Sequence, residues 1–410
     1  MRNRAALALS ALAGFLATAA LFGVAPAGCA NDDPPPRGGG GDAGPPRDGG
    51  DGGDAAPKPV SSLCGDTSGL EVGGWPMRGG CPKRPSSPEA NAPSSPSPSF
   101  KAPLDTAGAQ VVVGKDGAIT VVGADGKLSV LGADGTPKRS FAASAAPGSG
   151  PVLLADGTVL VATADSRLAR ITTDGATAWS APIGAVGADP VVVKSRVFVG
   201  AADGALVAID LGAAAPAWAL REAKGAATGP SVDDDGTIFY GSADGKLRAV
   251  TPAGALRWAF DADGAIRHPP AISRFGTVCV GTDAGTVFVV GADGKERFRD
   301  RAGGPISTGC AFGPDGTVFA GSADKSLYAI GPSGKRTFAF KTLGVVGSPI
   351  VDGDGVVVFG SEDTKVYAVG PAGVLRWAQS AGSPVRGQPA PSPIAAVVVA
   401  ADKAVSAFAQ

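Results

Sequence analysis

The sequence predicts an all-β protein, an eight-bladed β-propeller of four-stranded antiparallel blades, on three observations. An aliphatic residue follows an Asp-Gly-type turn eight times, at Leu128, Leu168, Leu206, Leu247, Val287, Leu327, Val366 and Val405, in steps of 40, 38, 41, 40, 40, 39 and 39. An aromatic closes each unit, at Phe100, Phe141, Trp179, Trp218, Trp258, Phe298, Phe338 and Trp377. Between these marks lie short β-branched runs of period two, and no helical period of adequate length competes after residue 100. Two independent series with eight members each mark a radial repeat of small sheets.

One unit shows why each repeat makes four strands. "DGTIFYGSADGKLRAVTPAGALRWAF", residues 235–260, is broken at Asp244-Gly245 and Pro252-Ala253-Gly254, where glycine supplies the positive φ of tight hairpins. A further short run precedes each unit, as in "DPVVVK", "GPSVDD" and "GSPIVD". The phase of the repeats also predicts ring closure. The last unit stops at Phe408 after its third strand, while the first begins with an orphan fourth strand around Phe100. The N-terminal strand is therefore expected to complete the C-terminal blade, with the propeller occupying residues 100–410.

Upstream, Arg2 and Arg4 precede an apolar run from Ala5 to Val24, the pattern of a secretory signal over residues 1–28. "PAGC" at 26–29 resembles the bacterial lipobox, which implies lipidation of Cys29, with Pro26 departing from the usual aliphatic residue. Residues 29–60 are Gly/Pro-rich and read as a disordered tether. Residues 61–99 read as a short Cys-containing segment followed by a Pro/Ser-rich linker from 83. The expected address is the cell envelope, as an outer-membrane lipoprotein on the periplasmic or the surface side. Of the four remaining cysteines, Cys64 and Cys81 bracket a core-poor segment and are expected to form a disulfide. Cys279 stands where Phe239 and Phe319 stand in other units, and Cys310 where Pro230 and Pro349 stand; a second bridge and two small buried hydrophobes both fit.

The units resemble the PQQ-type propeller repeats shared by quinoprotein dehydrogenases and BamB-like lipoproteins of outer-membrane assembly. "GWPMRGGCPKRPSSP" at 74–88 also looks like the segment that often precedes such propellers. For the dehydrogenases the resemblance implies a vicinal Cys-Cys disulfide, a Trp stacked on the quinone, and Ca²⁺ held by Glu, Asn and Asp. None of these transfers residue by residue. The sequence has no adjacent cysteines, its asparagines are Asn3, Asn31 and Asn91, and the propeller glutamates are Glu222, Glu296 and Glu362.

Other chemistry fares no better. With 36 basic and 37 acidic residues the net charge is −1, which leaves no electrostatic footprint for nucleic acid. His268, in "RHPP" at the start of an inner strand, is the single histidine, so a hydrolytic triad or a His-rich metal site is excluded or reduced to one member, and a lone His without assigned partners specifies no reaction. Asp clusters at 232–237, 260–265 and 351–356 lack the twelfth-position Glu of a calcium loop and fall at strand connections, where Asp and Gly make turns. The expectation is a non-catalytic envelope lipoprotein without a cofactor, its propeller binding an envelope or outer-membrane protein as an assembly scaffold. The alternatives are a PQQ/Ca-dependent dehydrogenase and a surface module binding glycan or cell-wall material.

Overall fold

The computed structural model describes residues 64–88, 91–106, 109–146, 149–184, 189–393 and 396–410. The signal sequence, Cys29 and the tether at 29–60 lie outside the described residues. Among the described residues are eight four-stranded antiparallel sheets arranged as the blades of a propeller, with no α-helix. Blade 4 is representative: Ser231–Val232, Ile238–Gly241, Lys246–Val250 and Leu256–Asp261 pair in chain order from the central channel outwards. Its middle strands are buried apart from Lys246 at the turn, because both faces of a blade pack against neighbouring blades. Its outer strand alternates in exposure as the free edge faces solvent.

Blade 8 takes three strands from the C-terminus, Ala390–Ser392, Ala396–Ala401 and Ala404–Ala409, and its outer strand from Ser97–Pro103. Six residue pairs join that strand to Ala404–Ala409, from Ser97 opposite Ala409 to Pro103 opposite Ala404. The pairing starts three residues before Phe100.

The closing aromatics hold blade to blade. Trp218 packs flat on the turn glycine of the next blade, Gly254, where a Cβ would lie 2.8 Å from the indole. With φ +88 that position also needs the conformational freedom of glycine. The Trp218 indole N–H donates to Pro252 O (3.1 Å), and Trp258 donates likewise to Ala292 O (3.0 Å). Trp377 donates instead to Pro93 O (2.7 Å), since the N-terminal chain replaces the turn that blade 8 lacks at this seam. In blade 1 the register departs from the sequence reading. Arg139, not Phe141, lies opposite Val130, as Trp258 lies opposite Ala249. Phe141 sits two residues further on, still against the next blade's Gly175, and the Arg139 guanidinium donates to Thr173 O in place of an indole.

The described residues form two disulfides, Cys64–Cys81 and Cys279–Cys310. The second links blade 5 to the residue preceding blade 6's innermost strand, Ala311–Phe312.

Candidate functional site in the central channel

The innermost strand of each blade has two or three residues, and its inner edge would face the channel unpaired. Residues 64–88 supply the missing partners. Trp75 exchanges both backbone hydrogen bonds with Val113 of blade 1, and Pro76 O accepts from Leu153 N of blade 2. Pro82, Lys83, Pro85 and Ser86 carbonyls then accept in turn from Val232, Ile272, Phe312 and Val351, in blades 4, 5, 6 and 7 (2.9–3.0 Å). The stretch read from composition as a linker thus winds around the ring, with Lys83, Arg84, Ser86 and Ser87 buried. Asp352 fixes its exit by accepting from Ala92 N, and the chain continues into the outer strand of blade 8.

This plug meets the inner strands at their ends, and its tip reaches down to where they begin. There the repeat places one equivalent residue per blade: Gln110, Gly150, Asp189, Gly229, Pro269, Gly309, Ser348 and Gln388. A Cβ at Gly150 would lie 2.9 Å from the Asp189 carboxylate and one at Gly229 2.7 Å from Asp189 O, so glycine there makes room for the ring's own Asp189, and polar members of the ring grip the plug. Arg84, buried, donates to Pro230 O (2.9 Å), Arg78 O (2.9 Å), Asp189 O (3.0 Å) and Pro190 O (3.0 Å). Arg78 donates to the Asp189 carboxylate (3.1 Å) and Ser348 Oγ (3.2 Å). Gln388 accepts from Gly79 N (2.8 Å), donates to Ser86 Oγ and Pro349 O, and its own N–H donates to Gln110 Oε1. Lys83 pairs with Asp233 and Asp234 at the entrance.

Burial would raise the Asp189 pKa, but Arg78, Arg84 and the Gly150 N–H override it and hold the carboxyl below its ordinary value. Asp189 is an ion-pair partner and hydrogen-bond acceptor, not a proton-transfer base. His268 occupies the position one residue before the ring, half-buried. Burial first, then the charge of Arg78, pulls its pKa down to about 3. A histidine whose folded pKa is depressed contributes fully above the unfolded value near 6.5, and that contribution is lost as pH falls towards 3. His268→Gln should therefore remove about 2 kcal/mol of acid sensitivity near pH 5. Melting temperatures of both proteins measured from pH 7 to 4 should converge as pH falls; parallel curves would refute the assignment.

The Asp clusters are engaged with protein donors. Asp235 accepts from Thr237 N, Asp352 from Asp354 N and Val356 N, and Asp263 from the Thr282 and Thr286 hydroxyls. Among the described residues no group of His, Cys, Asp and Glu could hold a metal ion. Sequence reasoning singled out His268, beside the ring, and none of the ring's own residues. Asp189, Ser348 and Gln388 were legible as departures from glycine before the inner-strand proline, while Arg78 and Arg84 carry no local signal.

Radial four-stranded blades sealed by aromatics, around an axis occupied by the chain's own N-terminal segment, define a PQQ-type repeat propeller. The chain belongs to the family described as outer membrane protein assembly factor BamB, whose model matches residues 115–259 and 243–343. No curated protein matches it. Among solved structures it is similar to quinohemoprotein alcohol dehydrogenase from Comamonas testosteroni, with TM-score 0.68 and 14% identity over 83% of this chain and 81% of that one. It is also similar to BamB from Moraxella catarrhalis, with TM-score 0.65 and 15% identity over 77% and 100%. A computationally designed protein, Ika8, gives TM-score 0.67 and 17% identity over 75% and 99%. At these identities the likeness shows the fold. That fold is common to BamB and a dehydrogenase, so it does not decide between scaffold and enzyme.

Proposed function

We propose that this protein is a non-catalytic scaffold of the bacterial envelope, held by lipid at Cys29, whose propeller binds an outer-membrane assembly protein. One observation carries the reading: the channel axis is occupied by residues 74–88, hydrogen-bonded to the inner strands of blade after blade. A cofactor on that axis would have to displace buried, charge-assisted contacts. The four described cysteines are joined in pairs 17 and 31 residues apart, and the propeller tryptophans lie in the outer strands, at the blade seams. A rigid ring that presents loops on a fixed frame suits recognition.

In-cell crosslinking from the propeller surface, followed by mass spectrometry, should recover an outer-membrane assembly component, and Cys29→Ser should shift the protein out of the membrane fraction. The purified protein given PQQ and Ca²⁺ should show neither stoichiometric quinone binding nor dye-linked alcohol or sugar oxidation. Oxidation with bound quinone would replace this reading with the enzymatic one, and unchanged membrane partition of Cys29→Ser would place the anchor elsewhere.

A further inference from the structure

At the level of the ring the charges do not cancel. Arg78 and Arg84 share one carboxylate, that of Asp189, and both act on it electrostatically. The remaining charge acting on His268 is Arg267, which is itself paired with Asp283. The imidazole stays neutral there, so the floor of the channel keeps one net positive charge. The two arginines differ in what is left to them. All three nitrogens of Arg84 donate to backbone carbonyls. Arg78 makes one bond to Asp189 and one to Ser348, and its other N–H groups meet no acceptor among the described residues. Its side chain keeps 16% exposure, and half-buried His268 lies one position from the ring on the side away from the plug's entry. Ser348 Oγ accepts from Arg78, which leaves its own proton available to a further acceptor.

A guanidinium with unused donors, a hydroxyl turned to donate and a neutral imidazole, in a site with one uncompensated positive charge, are complementary to a carboxylate. We propose that the tip of the plug, at the channel floor away from the plug's entry, binds a carboxylate through Arg78, assisted by Ser348 and His268. The site does not depend on the scaffold reading above.

Because His268 is the only histidine in the chain, its ring resonances report on this spot alone. The full chain is titrated with propionate and with an acetylated tripeptide bearing a free C-terminus, against propionamide, the amidated peptide and chloride at equal ionic strength. Both carboxylates should shift the His268 signals saturably, and the bound anion should raise the pH at which the imidazole titrates. A peptide that binds more tightly than propionate identifies a chain terminus as the ligand's source, and equal affinities identify a free small acid. Arg78→Met should weaken binding by about tenfold or more, as expected for a charge-assisted hydrogen bond. Since Arg78 also belongs to the plug, Ser348→Ala, which keeps the reporter and the guanidinium, provides an independent check and should weaken binding about threefold to tenfold. The proposal is overturned by an absent response up to roughly 50 mM carboxylate, by an equal response to chloride or the amides, or by unchanged affinity in both variants.

Discussion

Deleting residues 97–103 lowers the melting temperature of the entire propeller by about 10 °C or more, an effect far beyond the loss of one surface strand. In most blades the outer strand is continuous with its own hairpin, whereas in blade 8 it is the only covalently distant member, and it closes the ring. Its removal forfeits the six-pair ladder to Ala404–Ala409 and leaves that buried strand with an unpaired edge. It also removes Phe100 from Gly135 of blade 1, where a Cβ would come within 2.3 Å of the ring, and takes Ala102 out of the core shared by blades 7, 8 and 1. Losing one packed aromatic costs about 3–5 kcal/mol before the backbone bonds are counted. Because each blade is stabilised by both neighbours, opening one seam weakens all of them, and the transition should broaden as the repeats uncouple. Calorimetry of the deletion against Phe100→Ala separates the ladder from the ring contact. A deletion that melts with the parent would mean that closure contributes nothing.

Recurrence made the fold legible. The Asp-Gly turns, the aliphatic that follows and the closing aromatic are imposed by the same local geometry in every blade, so a single chain shows the rule eight times. The offset between Phe100 and Phe408 likewise exposed the closure. What occurs once was harder to read. Lys83, Arg84 and Ser86 stand among prolines and serines, a composition that reads as linker, yet proline carbonyls are sound acceptors and Pro82 and Pro85 use theirs on blades 4 and 6. The channel ring was open to the same comparison of repeats: Asp189 and Ser348 replace the glycine that precedes the inner strand in blades 2, 4 and 6. Their partners lie more than a hundred residues away, beyond any local pattern. At the seam of blades 1 and 2, the aromatic nearest in sequence, Phe141, stood in for a position that Arg139 fills by hydrogen bonding, because a register offset of two is invisible until strands are paired.

Replacing Arg84 with Met destabilises the protein by about 3–5 kcal/mol and is the most damaging single substitution expected in the plug. Two effects oppose each other. Burial, with Arg78 adding to it and Asp189 opposing, brings the Arg84 pKa from 12.5 to about 10, which corresponds to about 3 kcal/mol against the charged form. An apolar side chain of similar length escapes that penalty, and well-packed replacements of buried charges are sometimes neutral for this reason. Here the other side of the balance is larger. Four carbonyls from the plug and from blades 3 and 4, those of Arg78, Asp189, Pro190 and Pro230, converge on one guanidinium. Hydrogen bonds to a charged donor contribute about 1.5–3 kcal/mol each, and acceptors left buried without a donor cost a similar amount. Arg84→Lys should recover less than half of the loss, since an ammonium donates from one point and cannot span carbonyls arranged around a planar fork. Denaturant melts at neutral pH measure both variants, and hydrogen exchange at Ile272, Phe312 and Val351, whose N–H groups donate to the plug, should accelerate in step with the lost stability. Stability of Arg84→Met within about 1 kcal/mol of the parent would show that the guanidinium fills the channel without holding it together.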